Sequence, residues 1–157
     1  MKAFRLVSHA PGAPGLRWLG LGPRLRPMKG LFQLQLLLNE HTSWAKNRSL
    51  KDLRKMLRGS QSVVSVWSNE QLIGFGRATS DGTFRGTLWD IVVNDNYHRK
   101  GIGSAIVEAL VNTAALKEAE KIYLMTTKST EFYQKLNFTE PEQKLLHRAH
   151  ADKKKRS

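Results

Sequence analysis

The stretch from Ser62 to Val93, SVVSVWSNEQLIGFGRATSDGTFRGTLWDIVV, restricts the fold more than any other part of the chain. It holds three runs, SVVSVWS, QLIGFGRATS and RGTLWDIVV, joined through SNEQ and DGTF. The β-branched and aromatic side chains of the runs suit a pleated, half-buried surface. The joins carry Asn, Asp, Gly and Ser, the residues that tight turns use. Joins this short only connect antiparallel neighbours, so the spacing predicts an antiparallel meander of three strands.

Helical patterns flank the meander. Leu34, Leu37, Leu38 and His41 recur at helical spacing and predict a helix over Leu31–Trp44. The segment NRSLKDLRKMLRGS predicts a second, with Ser49 as N-cap and Gly59 as stop. His41 and Trp44, at the end of the first helix, are able either to pack or to touch a ligand. After the meander, Ile102, Ala105, Ile106, Ala109 and Leu110 mark a helix running to about Leu116. KIYLMTT is a further strand, STEFYQKLN a short helix capped by Ser129 or Thr130, and KLLHRA a final strand. The expected fold is α/β: a mixed central sheet with an antiparallel meander, two N-terminal helices, a helix after the glycine loop and a C-terminal helix. Residues 1–30, rich in Gly, Pro and Arg, are expected to form an irregular basic arm, with one short strand at Phe4–Val7 or Leu16–Leu21. The main domain then covers 31–149 and a basic tail 150–157.

A chain of 157 residues suits one domain with a real core. It has no cysteine, which removes disulfides, thiolate catalysis and cysteine zinc sites, and fits a reducing compartment: the cytoplasm, or the plastid stroma if the arm is a targeting remnant. No apolar run approaches the roughly 20 residues of a spanning helix. The five histidines are scattered without paired ligand spacing, so no metal is expected. The net charge of +13, with no acid among residues 1–39, favours polyanionic partners: nucleic acid, ribosomes, an anionic membrane surface or a phosphate-rich cofactor, with an acidic protein or RNA contacted through the basic arm and tail.

The last strand of the meander opens into NDNYHRKGIGSA. The dinucleotide fingerprint fails, because its third glycine would be Ile106, and the P-loop pattern is absent. Gly101 and Gly103 nevertheless stand at a strand–loop–helix junction, where free backbone N–H groups and the helix dipole attract an anion. Arg99 and Lys100 add positive charge. A pyrophosphate is the expected guest.

The six residues His98-Arg99-Lys100-Gly101-Ile102-Gly103 resemble the R/Q-x-x-G-x-G/A motif of the GNAT superfamily of N-acetyltransferases, with His in place of Arg or Gln. STEFYQKLNF resembles the superfamily's A-x-x-F-Y-x-K-x-G-F ending, with Asn137 where glycine is usual. Within Ser62–Phe138, GRATSDG and LWDIVV are similar to plastid- and cyanobacterial-type members, the serotonin N-acetyltransferase-like group.

The resemblance implies an acetyl-CoA-dependent transfer to a primary amine: a protein N-terminus, a lysine or a small arylalkylamine. It implies that the strand before the loop splays from its neighbour at a bulge and pairs with pantetheine through Ile91, Val92 and Val93. Amides near Ile91 would polarise the thioester carbonyl. His98, Arg99, Lys100, Gly101, Ile102, Gly103 and Ser104 would hold the pyrophosphate, and Thr127 would bond the pantetheine. Tyr133 matches the superfamily tyrosine that protonates the leaving thiolate. Asp90, an acid inside an apolar run, is the candidate base or amine anchor, burial being expected to raise its pKa. The competing reading is a nucleic-acid- or ribosome-associated binding protein on the same scaffold.

Overall fold

The computed structural model describes residues 3–150, and the expected tail at 150–157 lies, but for His150, outside them. The chain forms two compact units, one ending at Leu124 and one beginning at Met125. The first holds a five-stranded sheet in the order β1-β2-β3-β4-β5. Its strands are β1 (Arg5–His9), β2 (Ser62–Ser68), β3 (Gln71–Ser80), β4 (Arg85–Val93) and β5 (Lys121–Tyr123). Its helices are α1 (Pro14–Leu19), α2 (Gly30–His41), α3 (Leu50–Arg58) and α4 (Ile102–Val111). β1 through β4 are antiparallel, and β5 joins β4 in parallel, so the sheet is mixed.

The meander forms as its turns predict. β2 and β3 meet at Ser68↔Gln71 across Asn69, which adopts φ 53°, a left-handed conformation that asparagine tolerates. In the next turn Asp81 Oδ1 accepts the N–H groups of Thr83, Phe84 and Arg85 at 2.9, 2.7 and 3.1 Å.

The short strand expected in the arm forms at the first of its two places, as β1, while the irregular remainder expected over 1–30 is corrected. β1 pairs with β2 from Arg5↔Trp67 to His9↔Val63, and Ala13 and Leu16 are fully buried. Gly and Pro serve here as local punctuation: Pro14 starts α1 and Gly20, at φ 61°, ends it. Three α-helices therefore precede the meander among the described residues, not two. α2 stops at His41, before the expected Trp44, because Thr42 turns extended. Its hydroxyl donates to the Leu38 carbonyl at 2.7 Å and accepts the Ala45 N–H at 3.1 Å. α4 stops at Val111, short of Leu116, where Asn112 and Thr113 hydrogen-bond the carbonyls of Glu108 and Leu110. Ser49 caps α3 as expected, accepting the Asp52 N–H at 3.0 Å, and Gly59 follows its last residue.

Helices cover both faces of the sheet. Leu16 of α1, Leu34 and Leu38 of α2 and Leu53 and Leu57 of α3 form one core with Val63, Trp67, Phe75 and Val92 of the sheet. On the other face α4 lies close against β3. A Cβ on Gly76 would stand 2.6 Å from Ile106 Cγ2 and 2.8 Å from Ile91 Cδ1, so only glycine admits the helix at this distance. Covering both faces explains why β2 is buried almost throughout, with no alternation of buried and exposed positions.

On the α2 face, His9 Nε2 lies 2.7 Å from Ser65 Oγ, which also accepts the Trp67 indole N–H at 2.8 Å. Burial pulls the His9 pKa down from 6.5 to about 4. Between those values the unfolded chain binds a proton that the folded chain refuses, so stability falls as pH drops through that window and levels off below it. The expected loss, on the order of 3 kcal/mol, is measurable as a falling urea midpoint. His9→Gln should flatten the dependence.

The unit beginning at Met125 contains α5 (Thr130–Gln134). Tyr133 makes edge contacts with Phe132 and Phe138, at ring-centroid distances of 4.9 and 5.8 Å. Asn137 is left-handed, φ 70°, as its place in the motif requires. The final strand expected at KLLHRA does not form. Leu145 and Leu146 remain 70% and 88% exposed, so no burial supports one.

Candidate active site

The site begins with an interruption in β4. Phe75 pairs with Val92 and Arg77 with Trp89, so Asp90 and Ile91 together face the single residue Gly76. This is a β-bulge. Asp90 takes φ 54°, an unfavourable conformation that aspartate tolerates better than most residues. On its other side β4 pairs with β5 only at Arg85↔Lys121, Gly86↔Ile122 and Thr87↔Tyr123. From Leu88 to Val93 that edge has no strand partner among the described residues. The Asn94 N–H points to the Ile73 carbonyl of β3, at 2.8 Å. By the alternation of a strand, Val93 then faces the open edge, and its carbonyl accepts from His98 Nε2 at 3.0 Å. His98, expected among the residues that hold the pyrophosphate, bonds back to the strand through Nε2 while its side chain stays 57% exposed.

The edge runs directly into the glycine loop. Arg99 and Gly101 are both left-handed, φ 61° and 78°, and these two residues swing the chain into α4. A Cβ on Gly101 would meet no atom within 4 Å, so the space over the loop is open. No side chain caps α4, and its first turn carries no acid. The first helical hydrogen bond runs from the Ala105 N–H to the Gly101 carbonyl, at 3.0 Å. The N–H groups of Ile102, Gly103 and Ser104 have no acceptor within the helix, by the geometry of any helix start. Arg99 and Lys100 are exposed beside them. Donors, dipole, charge and room together fit the pyrophosphate of a coenzyme A thioester.

Asp90 is the centre of a knot that the sequence reading missed. Its Oδ2 accepts from Arg77 Nε at 2.8 Å and Arg48 NH1 at 3.0 Å, and its Oδ1 accepts the Trp44 indole N–H at 3.1 Å. Its carboxylate is 4% exposed. Burial alone would raise its pKa, but the hydrogen bonds and charges of Arg48 and Arg77 outweigh burial and hold it below the ordinary carboxylate value. The expected upward shift is therefore corrected. Asp90 ties the segment between α2 and α3 to the bulge. One signal in the sequence pointed to this: Arg77 interrupts an apolar strand run, and a buried guanidinium requires an acceptor. A second fastening joins α2 to the turn after β4. The His41 ring nitrogen Nδ1 lies 3.3 Å from the Asp95 N–H and 3.2 Å from its carboxylate.

In the second unit, burial raises the Tyr133 pKa, so its phenol keeps its proton at neutral pH. Thr127 is exposed. No group of three metal-ligating side chains occurs among the described residues. None of their helices is long and apolar enough to cross a membrane.

A bulged strand with an open edge, leading through a glycine loop to an uncapped helix, defines an acyl-CoA-binding class of fold. The chain belongs to the acetyltransferase (GNAT) family, whose sequence model matches residues 31–138. It is 32% identical over 113 residues to the "uncharacterized N-acetyltransferase ycf52" of Pyropia yezoensis, covering 69% of this chain and 64% of that one. It is 35% identical over 120 residues to the "histone acetyltransferase TAP1" of Glycine max, covering 69% and 51%. The chain thus spans between half and two thirds of the length of these relatives. Among solved structures, a GNAT-family protein of Xanthomonas campestris pv. campestris superimposes with a TM-score of 0.71 at 19% identity, covering 96% of this chain and 95% of that one.

Proposed function

We propose that the chain transfers the acetyl group of acetyl-CoA to a primary amine by direct attack. The observation that carries this reading is the unpaired β4 edge from Leu88 to Val93, continuous with the donors at Ile102–Ser104. An extended pantetheine would pair along the edge through Ile91 and Val93, replacing the His98 bond at Val93, while the pyrophosphate would sit at the helix start beside Arg99 and Lys100. Val92, expected with them, pairs with Phe75 of β3 and turns its backbone groups away from that edge. Its acetyl carbonyl would lie near the bulge, within reach of backbone donors there. The amine nitrogen attacks the carbonyl carbon, a C–N bond forms, and the C–S bond breaks. Tyr133 gives its proton to the departing sulfur and regains one from solvent, which also takes the proton that the new amide nitrogen sheds.

Asp90 is proposed here as a positioning residue, not the base. Three donors occupy it, and two guanidinium groups stabilise its ionised form. The amine would then lose its proton to solvent before attack. Turnover should rise with pH, following the acceptor's own pKa, and Asp90→Asn should keep that profile. The same substitution should lower stability by on the order of 2 kcal/mol, because the carboxylate is lost between two arginines. A flattened pH profile in Asp90→Asn would restore the base assignment.

The acceptor is proposed to be a protein N-terminus, a lysine or a small arylalkylamine. Incubation with acetyl-CoA and a panel of peptides and amines, followed by mass spectrometry, tests the activity itself. A gain of one acetyl group on one amine class is the expected result. Intact acetyl-CoA with every class would overturn the reading.

A further inference from the structure

A groove of about 600 Å³ is lined by Ala3, Arg5, Pro23, Arg24, Arg26, Met28, Asn69 and Glu70, none of them part of the glycine loop. Arg5 belongs to β1, the terminal strand of the sheet. Pro23 to Met28 belong to the segment between α1 and α2, and Asn69 and Glu70 to the β2–β3 turn. Three arginines thus face one acid. Glu70 pairs with Arg26 at 3.3 Å, but both side chains are exposed, 71% and 62%, so the pair is screened and exchangeable. Neither Arg5 nor Arg24 pairs with a carboxylate among the described residues. No acid occurs anywhere in residues 1–39 to relieve them.

The loop that presents these groups is strained. Arg24, Leu25 and Lys29 all lie in the left-handed region, φ 58°, 57° and 53°, where side chains are disfavoured. Burial does not offset the strain at Leu25, which is 79% exposed. Backbone bonds lock the loop instead: the Gly22 N–H to the Arg26 carbonyl at 2.9 Å, and the N–H groups of Met28 and Gly30 to the Gly20 carbonyl at 3.0 and 3.1 Å. A rigid, strained loop that holds cations and an apolar side chain outward is a feature of binding surfaces.

From this arrangement we infer that the groove beside β1 docks an acidic, extended polypeptide segment of a partner protein. Arginine forks suit carboxylates, and Ala3, Pro23 and Met28 supply an apolar floor between them. The lining contains no aromatic ring. Single-stranded nucleic acid draws much of its affinity from such rings, so the peptide is the better match. The inference does not depend on acetyl transfer.

The test uses the full chain and a short fluorescein-labelled peptide of alternating Glu and Gly, followed by anisotropy. Oligouridylate of equal charge serves as the competing probe. Arg5→Gln with Arg24→Gln removes two charges from the groove. Lys51→Gln with Lys117→Gln removes the same charge from exposed positions elsewhere. The groove pair should weaken peptide binding about tenfold and the control pair less than twofold, while Glu70→Gln should tighten it. Equal weakening by both pairs would reduce the effect to diffuse charge and overturn the inference. So would the absence of peptide binding, or oligouridylate binding more tightly with the same dependence on Arg5 and Arg24.

Discussion

Gly101→Glu is expected to abolish measurable acetyl-CoA binding while the protein stays folded. Two effects act in the same direction. The new carboxylate stands at an uncapped helix start, where it takes the N–H donors and dipole that the pyrophosphate needs. It also repels the phosphates. The loss of two charge-assisted hydrogen bonds alone corresponds to roughly 100-fold in affinity. The fold should survive, because a Cβ at Gly101 meets nothing within 4 Å and an acid at a helix start is locally favourable. Gly82→Glu is the matched control. Gly82 has φ 81°, against 78° for Gly101, and equally open surroundings, but it lies in the β3–β4 turn. The two variants share backbone strain and added charge, so only position separates them. Calorimetry should find binding lost in the first and retained in the second. Normal binding by Gly101→Glu would move the phosphate site elsewhere.

Tyr133→Phe should lower kcat by roughly 10²–10⁴ while acetyl-CoA affinity changes less than tenfold. The phenol is buried enough that its pKa is raised, so it holds its proton until a thiolate needs it. Phenylalanine preserves the ring contacts with Phe132 and Phe138 and removes only the hydroxyl. A drop in kcat without a drop in affinity isolates a step after binding. An unchanged kcat would reduce Tyr133 to a packing residue.

Both substitutions fall on residues that the sequence exposes, and the reason is local. Gly101, Gly103 and Tyr133 belong to short contiguous motifs whose meaning survives without knowledge of the fold. The meander was legible on the same ground: SNEQ and DGTF specify their turns through neighbouring residues. Ser49 and Gly59 bounded α3 in the same way. What stayed hidden depended on distant pairing. The sequence offered a short strand at Phe4–Val7 or at Leu16–Leu21 but could not choose between them; β2, more than fifty residues later, offers an edge to the first, which forms as Arg5–His9. Leu16 looks like part of an irregular arm until α2 and α3 cover it. Asp90 was singled out, but its chemistry was inverted. Burial in an apolar strand predicts a raised pKa, and the guanidinium groups that reverse it come from positions 42 and 13 residues away.

The central claim is that acetyl-CoA occupies the open edge of β4 and the start of α4. Backbone amide chemical shifts, followed by NMR as acetyl-CoA is added to the nitrogen-15-labelled chain, test it most directly. The account predicts that the largest changes fall on Ile91 and Val93 and on Gly101 through Ala105, with a smaller change at His98 as its bond to Val93 is released. Saturating changes confined to other parts of the chain, or no change at millimolar acetyl-CoA, would contradict it.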